Sequence, residues 1–155
     1  MLHPSSQAVN DILAAAGLPG RVRILDQPAP TAAAAAEQLG CPLGAIANSL
    51  VFASADDEPV LIMTSGAHRV SLERVRDDYG LDLHRAPADF VRTHTGQPIG
   101  GVAPIGHPAP LRTLVDRALA GYDPLWAAGG IPHAVFPLSY ADLVRLTNGT
   151  EADVA

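Results

Sequence analysis

No lysine occurs anywhere in the chain; all ten of its basic residues are arginine. Any mechanism that needs a lysine amine is therefore closed to it. Basic charge is scarce overall, with 10 arginines against 16 acidic residues and a net charge of −6. That balance argues against a protein that grips long nucleic acid, DNA included, by its phosphates, because such binding uses many cationic contacts. Contact with one short RNA end remains open. A lone cysteine, Cys41, excludes an internal disulfide and fits a cytoplasmic setting. Apolar runs are broken by Gly and Pro well short of the roughly 18 residues that suggest a membrane span. The opening stretch MLHPSSQAVND has neither the basic region nor the long apolar core of a signal peptide. No H-E-x-x-H, C-x-x-C or close histidine pair accompanies the six histidines, and no G-x-x-x-x-G-K-[ST] loop is present. Neither a metal nor another cofactor is expected.

What is present suits one domain. At 155 residues and 48% hydrophobic content the chain can bury a genuine core, and residues 1–155 read as a single unit. Val9, Ile12, Leu13 and Ala16 have amphipathic-helix spacing, with Ser5 or Ser6 as cap and Gly17 as stop. RVRILD (21–26) alternates like a half-buried strand. Thr31 caps an alanine-rich helix ending at Gly40. SLVFA and VLIMTS flank the polar turn SADDEP and predict an antiparallel hairpin. Ser71 caps a helix with Leu72, Val75 and Tyr79 on one face, and a short helix is predicted around PADFVRTH. LRTLVD, PLWAAGG and HAVFPL read as strands, and Ser139 with Asp142 opens a last helix through a capping box. Without regular βαβ alternation, the expected class is mixed α/β (α+β): a largely antiparallel sheet flanked by helices.

One stretch does not fit ordinary packing. TGQPIGGVAPIGHPAP, Thr95 to Pro110, holds four Gly, four Pro and no Asp, Glu, Lys or Arg. A loop of that length inside a compact domain is uncommon and often functional. Its glycines allow close approach of a ligand, and its prolines stiffen the path. It would offer selected main-chain groups to a small ligand, as an oxyanion hole or a sugar-hydroxyl site does. The competing reading is a buried crossover with no ligand.

AIANSLVF, TGQPIGGVAPIGH, LVDRAL and AAGGIPHAVF resemble, in order and spacing, the YbaK/EbsC family of aminoacyl-tRNA editing domains. The resemblance covers residues 31–146, and its most specific part is G-x-x-x-G-G-x-x-P (Gly96, Gly100, Gly101, Pro104) after an IAxSLVF strand. It implies a curved mixed sheet and hydrolysis of the ester between a wrong amino acid and the terminal adenosine of a tRNA, with tRNA-Pro a candidate. The implied partners are the CCA acceptor end and an aminoacyl-tRNA synthetase. Asn48 and Gly101 are the implied catalytic positions, with Ser49, Gly96, Gly100, Pro104 and His133 lining the substrate. The sequence departs from the family at Asn48, where well-known members carry lysine. Asn cannot supply a positive charge, but its amide can donate to a carbonyl or ribose oxygen. A structural amide and a binding module without catalysis are the alternatives. On strand alternation, Asn48 and Ser49 should face opposite sides.

Other polar residues have simpler readings. His107 ends the Gly/Pro loop and is a candidate to orient water, as is His133; His68, His84 and His94 complete a weak metal set. Ser65 lacks a G-x-S-x-G elbow. Arg69 could meet a phosphate or carboxylate, with a surface ion pair as the simpler reading. Asp116 reads as a cap or turn carboxylate, Cys41 as a small hydrophobe and Trp126 as core.

Overall fold

The computed structural model describes residues 1–155. Five helices surround one eight-stranded mixed sheet. Helix α1 (Pro4–Ala15) opens with proline in its first turn, where a missing N–H costs nothing. Its cap is His3, whose Nδ1 accepts from the Ser5 N–H, rather than Ser5 or Ser6. Ser6 instead lies buried inside the helix and donates to the Gly129 carbonyl at 2.7 Å, tying α1 to the sheet. The strand expected over 21–26 shrinks to β1 (Arg23–Ile24), and both of its residues are exposed. Helix α2 (Ala32–Leu39) is capped by the Thr31 hydroxyl and stops at Gly40, which turns with φ 66°.

The hairpin forms as the pattern predicts. β2 (Ile46–Ser54) and β3 (Pro59–Ser65) pair antiparallel from Ala47↔Ser65 to Ala53↔Pro59. Helix α3 (Leu72–Tyr79) follows its Ser71 cap, then β4 (Leu83–Arg85), helix α4 (Ala88–Thr95), and β5 (Arg112–Asp116). β6 (Leu125–Ala128) and β7 (Ala134–Leu138) make a second hairpin. Helix α5 (Tyr140–Thr147), capped by Ser139, leads to β8 (Thr150–Ala152). Strand order is β1-β7-β6-β2-β3-β5-β8, with β4 against the far end of β2. Pairings β2–β6, β3–β5 and β5–β8 are parallel and the other four antiparallel. The sheet is thus more mixed than local patterning suggests, because long connections return β5 and β6 alongside non-adjacent strands.

Strand alternation divides the core. Ala47, Val51, Leu61, Met63 and Val115 point to one face, where α1 (Val9, Leu13) and α5 (Leu143) build the largest cluster. Val60, Ile62 and Leu114 point to the other, against Val75 of α3. Further along that second face, Ile46 and Val135 pack on Ala35 and Ala36 of α2. The two clusters on this face leave a depression between them. There β2 also lacks a neighbour on one edge: β6 pairs only with Ile46 and Ala47, and β4 only with Phe52 to Ser54. Across residues 48–51 that edge is unpaired, so main-chain N–H and C=O groups remain available.

Candidate functional site

A cleft of about 600 Å³ occupies this break in the sheet. Its volume lies in the range of small-molecule sites, roughly 300–1,000 Å³. Its floor is β2 from Ile46 to Phe52, and residues of both parities line it because the strand offers an edge as well as a face. Trp126 and Val135 form one wall; Val70 and Leu72 form another. Gly100 and Val102 bring in the Gly/Pro loop.

Asn48 is half-buried on the cleft floor, and its amide has no hydrogen-bond partner within the protein. It stands opposite Thr64 of β3 on one side, and its other edge lies just past the last β6 pairing, Ala47 with Ala127. A structural amide would satisfy neighbouring main-chain groups; this one does not. Ser49 lies on the other face, where its hydroxyl donates to the Met63 sulfur at 3.2 Å. Only the main chain of Ser49 is turned to the cleft edge.

The Gly/Pro loop is held from inside by Gln97, a residue with no obvious signal in the sequence. Gln97 is 2% exposed; its Oε1 accepts from the Ala103 N–H (2.6 Å) and its Nε2 donates to the Ile105 carbonyl (3.3 Å). Thr95 donates its hydroxyl to the Val91 and Gln97 carbonyls and accepts from the Gln97 N–H. His107 closes the loop through Nε2 to the Ala103 carbonyl at 2.8 Å; burial pushes its pKa down, partly offset by that hydrogen bond. Its neutral form is favoured, which makes it a strut of the loop. Gly100 has φ 88°, is exposed and borders the cleft beside Pro30. The N–H groups of Gly100 and Val102 have no protein acceptor, whereas the Gly101 N–H closes a turn onto the Pro98 carbonyl. Gly101 itself is buried: a Cβ there would lie 2.5–2.7 Å from main-chain atoms of Ile131 and Pro132. It lets the loop dock on the β6–β7 turn. Gly96 caps α4 with φ 72° and Pro104 is buried in the loop. His133 sits between two cleft residues, Pro132 and Ala134, with its carbonyl accepting from the Leu25 N–H. Among the residues expected at the site, Asn48, Ser49 and Gly100 border the cleft directly. Gly96, Gly101, Pro104 and His133 do not line it.

Two arginines, Arg69 and Arg85, line the cleft with no carboxylate partner, so the ion pair considered for Arg69 is not formed. His68 also lines it, 3.0 Å from the buried Asp116. Asp116 does cap the turn after β5, accepting from the Ala118 N–H, but it also binds Thr64 and the Ser65 N–H. Ser65 is buried and its hydroxyl donates to the Gly44 carbonyl, so it is no exposed nucleophile. Cys41 lies outside the cleft, and burial pushes its thiol pKa up. Trp126 is a half-buried wall residue rather than full core. The histidines are dispersed: His94 packs against Phe90 with the two rings tilted, and His84 is exposed on β4. No three His, Cys, Asp or Glu side chains gather as a metal site, and no helix is long and apolar enough to cross a membrane.

Residues 26–146, which contain the cleft floor, the Gly/Pro loop and the β6–β7 turn, match the aminoacyl-tRNA editing domain profile. The chain belongs to that family. A crystal structure described as that of a candidate trans-editing enzyme for prolyl tRNA synthetase superposes on this editing domain with a TM-score of 0.91. The two are 37% identical over 99% of this chain and 98% of that one. The hypothetical protein APE2540 is similar at 29% identity and a TM-score of 0.87, covering 95% of this chain and 98% of its own. An uncharacterized protein of Bacillus subtilis (strain 168), YwhH, shares 28% identity over 109 residues, 70% of this chain and 69% of its own length. The mixed α/β editing fold expected from the strand and loop motifs is the one observed.

Proposed function

We infer that this editing domain is a freestanding deacylase that hydrolyses the ester of a mischarged tRNA in trans. The observation that carries the reading is the juxtaposition of an unpaired Asn48 amide with the free Gly100 and Val102 N–H groups around one cleft. An aminoacyl ester is already activated, so the protein needs to hold the developing oxyanion and position water rather than supply a nucleophile. The unpaired edge of β2 offers further donors and acceptors for the amino group and ribose. Arg69 and Arg85 supply positive charge for phosphates of a short single-stranded CCA end, compatible with an acidic protein. A second sieve is chemically useful because a binding pocket separates amino acids differing by a methylene by only about 1–3 kcal/mol.

The similarity to a candidate trans-editing enzyme for prolyl tRNA synthetase makes tRNA-Pro the first substrate to try. Deacylation is measured over a panel of mischarged tRNAs, with alanyl and cysteinyl forms of tRNA-Pro included. Turnover of at least one member is expected; none at high enzyme concentration refutes the reading. Asn48 at the family's lysine position favours a second reading, a silent module that binds an aminoacyl end or a synthetase. That module binds a nonhydrolysable aminoacyl-adenosine analogue while turnover stays at background.

A further inference from the structure

The cleft has no lysine, no free serine hydroxyl and no cysteine, so proton transfer during ester hydrolysis is unassigned. The cleft face of the sheet carries a polar row across three strands: Asn48 on β2, Thr64 on β3 and Asp116 at the end of β5. Asn48 is paired with Thr64, and Met63 with Val115, which places Thr64 beside Asp116. Asp116 is 2% exposed. Its Oδ2 accepts from the Ser65 N–H (3.0 Å) and the Thr64 hydroxyl (3.3 Å), and its Oδ1 from the Ala118 N–H (3.0 Å). These donors satisfy the carboxylate without any histidine. His68 Nδ1 nevertheless lies 3.0 Å from Oδ2, and the ring is 38% exposed along the cleft. The carboxylate does not need the histidine; the histidine gains a fixed orientation from the carboxylate. Two of the donors are main-chain N–H groups that can only donate, so Asp116 faces His68 as an acceptor. In the neutral ring this contact places the hydrogen on Nδ1 and leaves the Nε2 lone pair free.

We propose that His68, oriented by Asp116, is the general base and acid for hydrolysis of an aminoacyl ester of the terminal adenosine. The proposal rests on the deacylase reading above. Nε2 takes a proton from water as the water oxygen bonds to the acyl carbon, and the carbonyl electron pair moves onto its oxygen. On collapse of the tetrahedral adduct the bond from carbon to ribose oxygen breaks, and the Nε2 proton passes to that oxygen. Ester and water become a free amino acid and a ribose hydroxyl, and the imidazole ends neutral as it began. His68 is the catalytic residue; Asp116 is a positioning residue.

The test uses single-turnover deacylation of the fastest substrate in the panel by wild type, His68→Gln and His68→Ala. Groups of this kind contribute about 10²–10⁴ in rate. His68→Gln is expected to slow the chemical step at least about a hundredfold, with half-saturation changed less than about threefold and the melting curve retained. Added imidazole is expected to restore part of the His68→Ala rate. Nitrogen-15 NMR of wild-type His68 reads the tautomer directly, and the Nδ1–H form is expected. An active wild type whose rate survives His68→Gln overturns the proposal and leaves the deacylase reading standing. A wild type that cleaves no member of the panel overturns both. A predominant Nε2–H tautomer overturns the positioning role of Asp116 and with it the proposed pair.

Discussion

Replacing Asn48 with alanine separates a working amide from a passive one. In the fold the Asn48 side chain makes no hydrogen bond, so its removal orphans no partner and leaves no buried polar group unsatisfied. The residue is half-buried, and the cost to stability should stay within about 0.5 kcal/mol, the usual range for such sites. For a chain of this size that corresponds to a melting shift of about 1–2 °C. The effect on rate has a different scale. Deleting one oxyanion donor costs about 10²–10³ where the site excludes water. This cleft opens at the β2 edge, so a water can partly replace the amide, and the expected loss falls below that range, at least about tenfold. Tenfold is ~1.4 kcal/mol of transition-state stabilisation, well above the expected change in folding energy. Single-turnover deacylation at saturating enzyme isolates the chemical step, and a circular dichroism melt checks the fold. Asn48→Asp should be slower still, because an isosteric carboxylate presents negative charge to a developing oxyanion. A rate within twofold of wild type for Asn48→Ala, with an unchanged melt, would show that the amide has no part in the chemistry.

Other expectations address the frame around the cleft. Gly101→Ala drives a Cβ into the main chain of Ile131 and Pro132, and should destabilise by about 1–3 kcal/mol, a lowering of Tm of about 2–12 °C; an unchanged melt would refute the docking role of this glycine. Arg69→Ala and Arg85→Ala should each weaken substrate binding and flatten its dependence on salt, with kcat little changed, as read from deacylation at two ionic strengths. His107 has its pKa lowered in the fold by burial, so the unfolded chain binds more protons over the window between the lowered value and about 6.5. Its contribution to stability is present above that window and is lost as pH falls through it. Denaturation midpoints measured from pH 7.5 to 5.5 should therefore fall less steeply for His107→Gln, which retains a donor for the Ala103 carbonyl without titrating.

Much of the fold was legible because its signals are local. Thr31, Ser71 and Ser139 each cap the helix their position predicts, and the β2–β3 hairpin follows from two apolar runs around a polar turn. The failures share a cause. Ser6 carries the chemistry of a cap but is recruited by Gly129, 123 residues away, and His3 takes the cap instead. β4 and β8 are three residues each and have no period of their own; they exist because β2 and β5 offer edges to pair with. Gln97 and Asp116 look like ordinary loop and turn residues until their partners, several to tens of residues distant, are in place.

The amino-acid sequence by itself determined the class of the domain, the absence of lysine chemistry, and the pairing of an Asn48 strand with a Gly/Pro loop. Those depend on composition, short-range periodicity and motif spacing. Only the tertiary structure decided which groups face the cleft. Strand register turned Asn48 inward and the Ser49 hydroxyl away, close packing made Gly101 a contact and Gly100 an edge, and the return of β5 beside β3 placed Asp116 beneath His68. Such decisions rest on contacts between residues far apart in the chain, for which no local pattern exists.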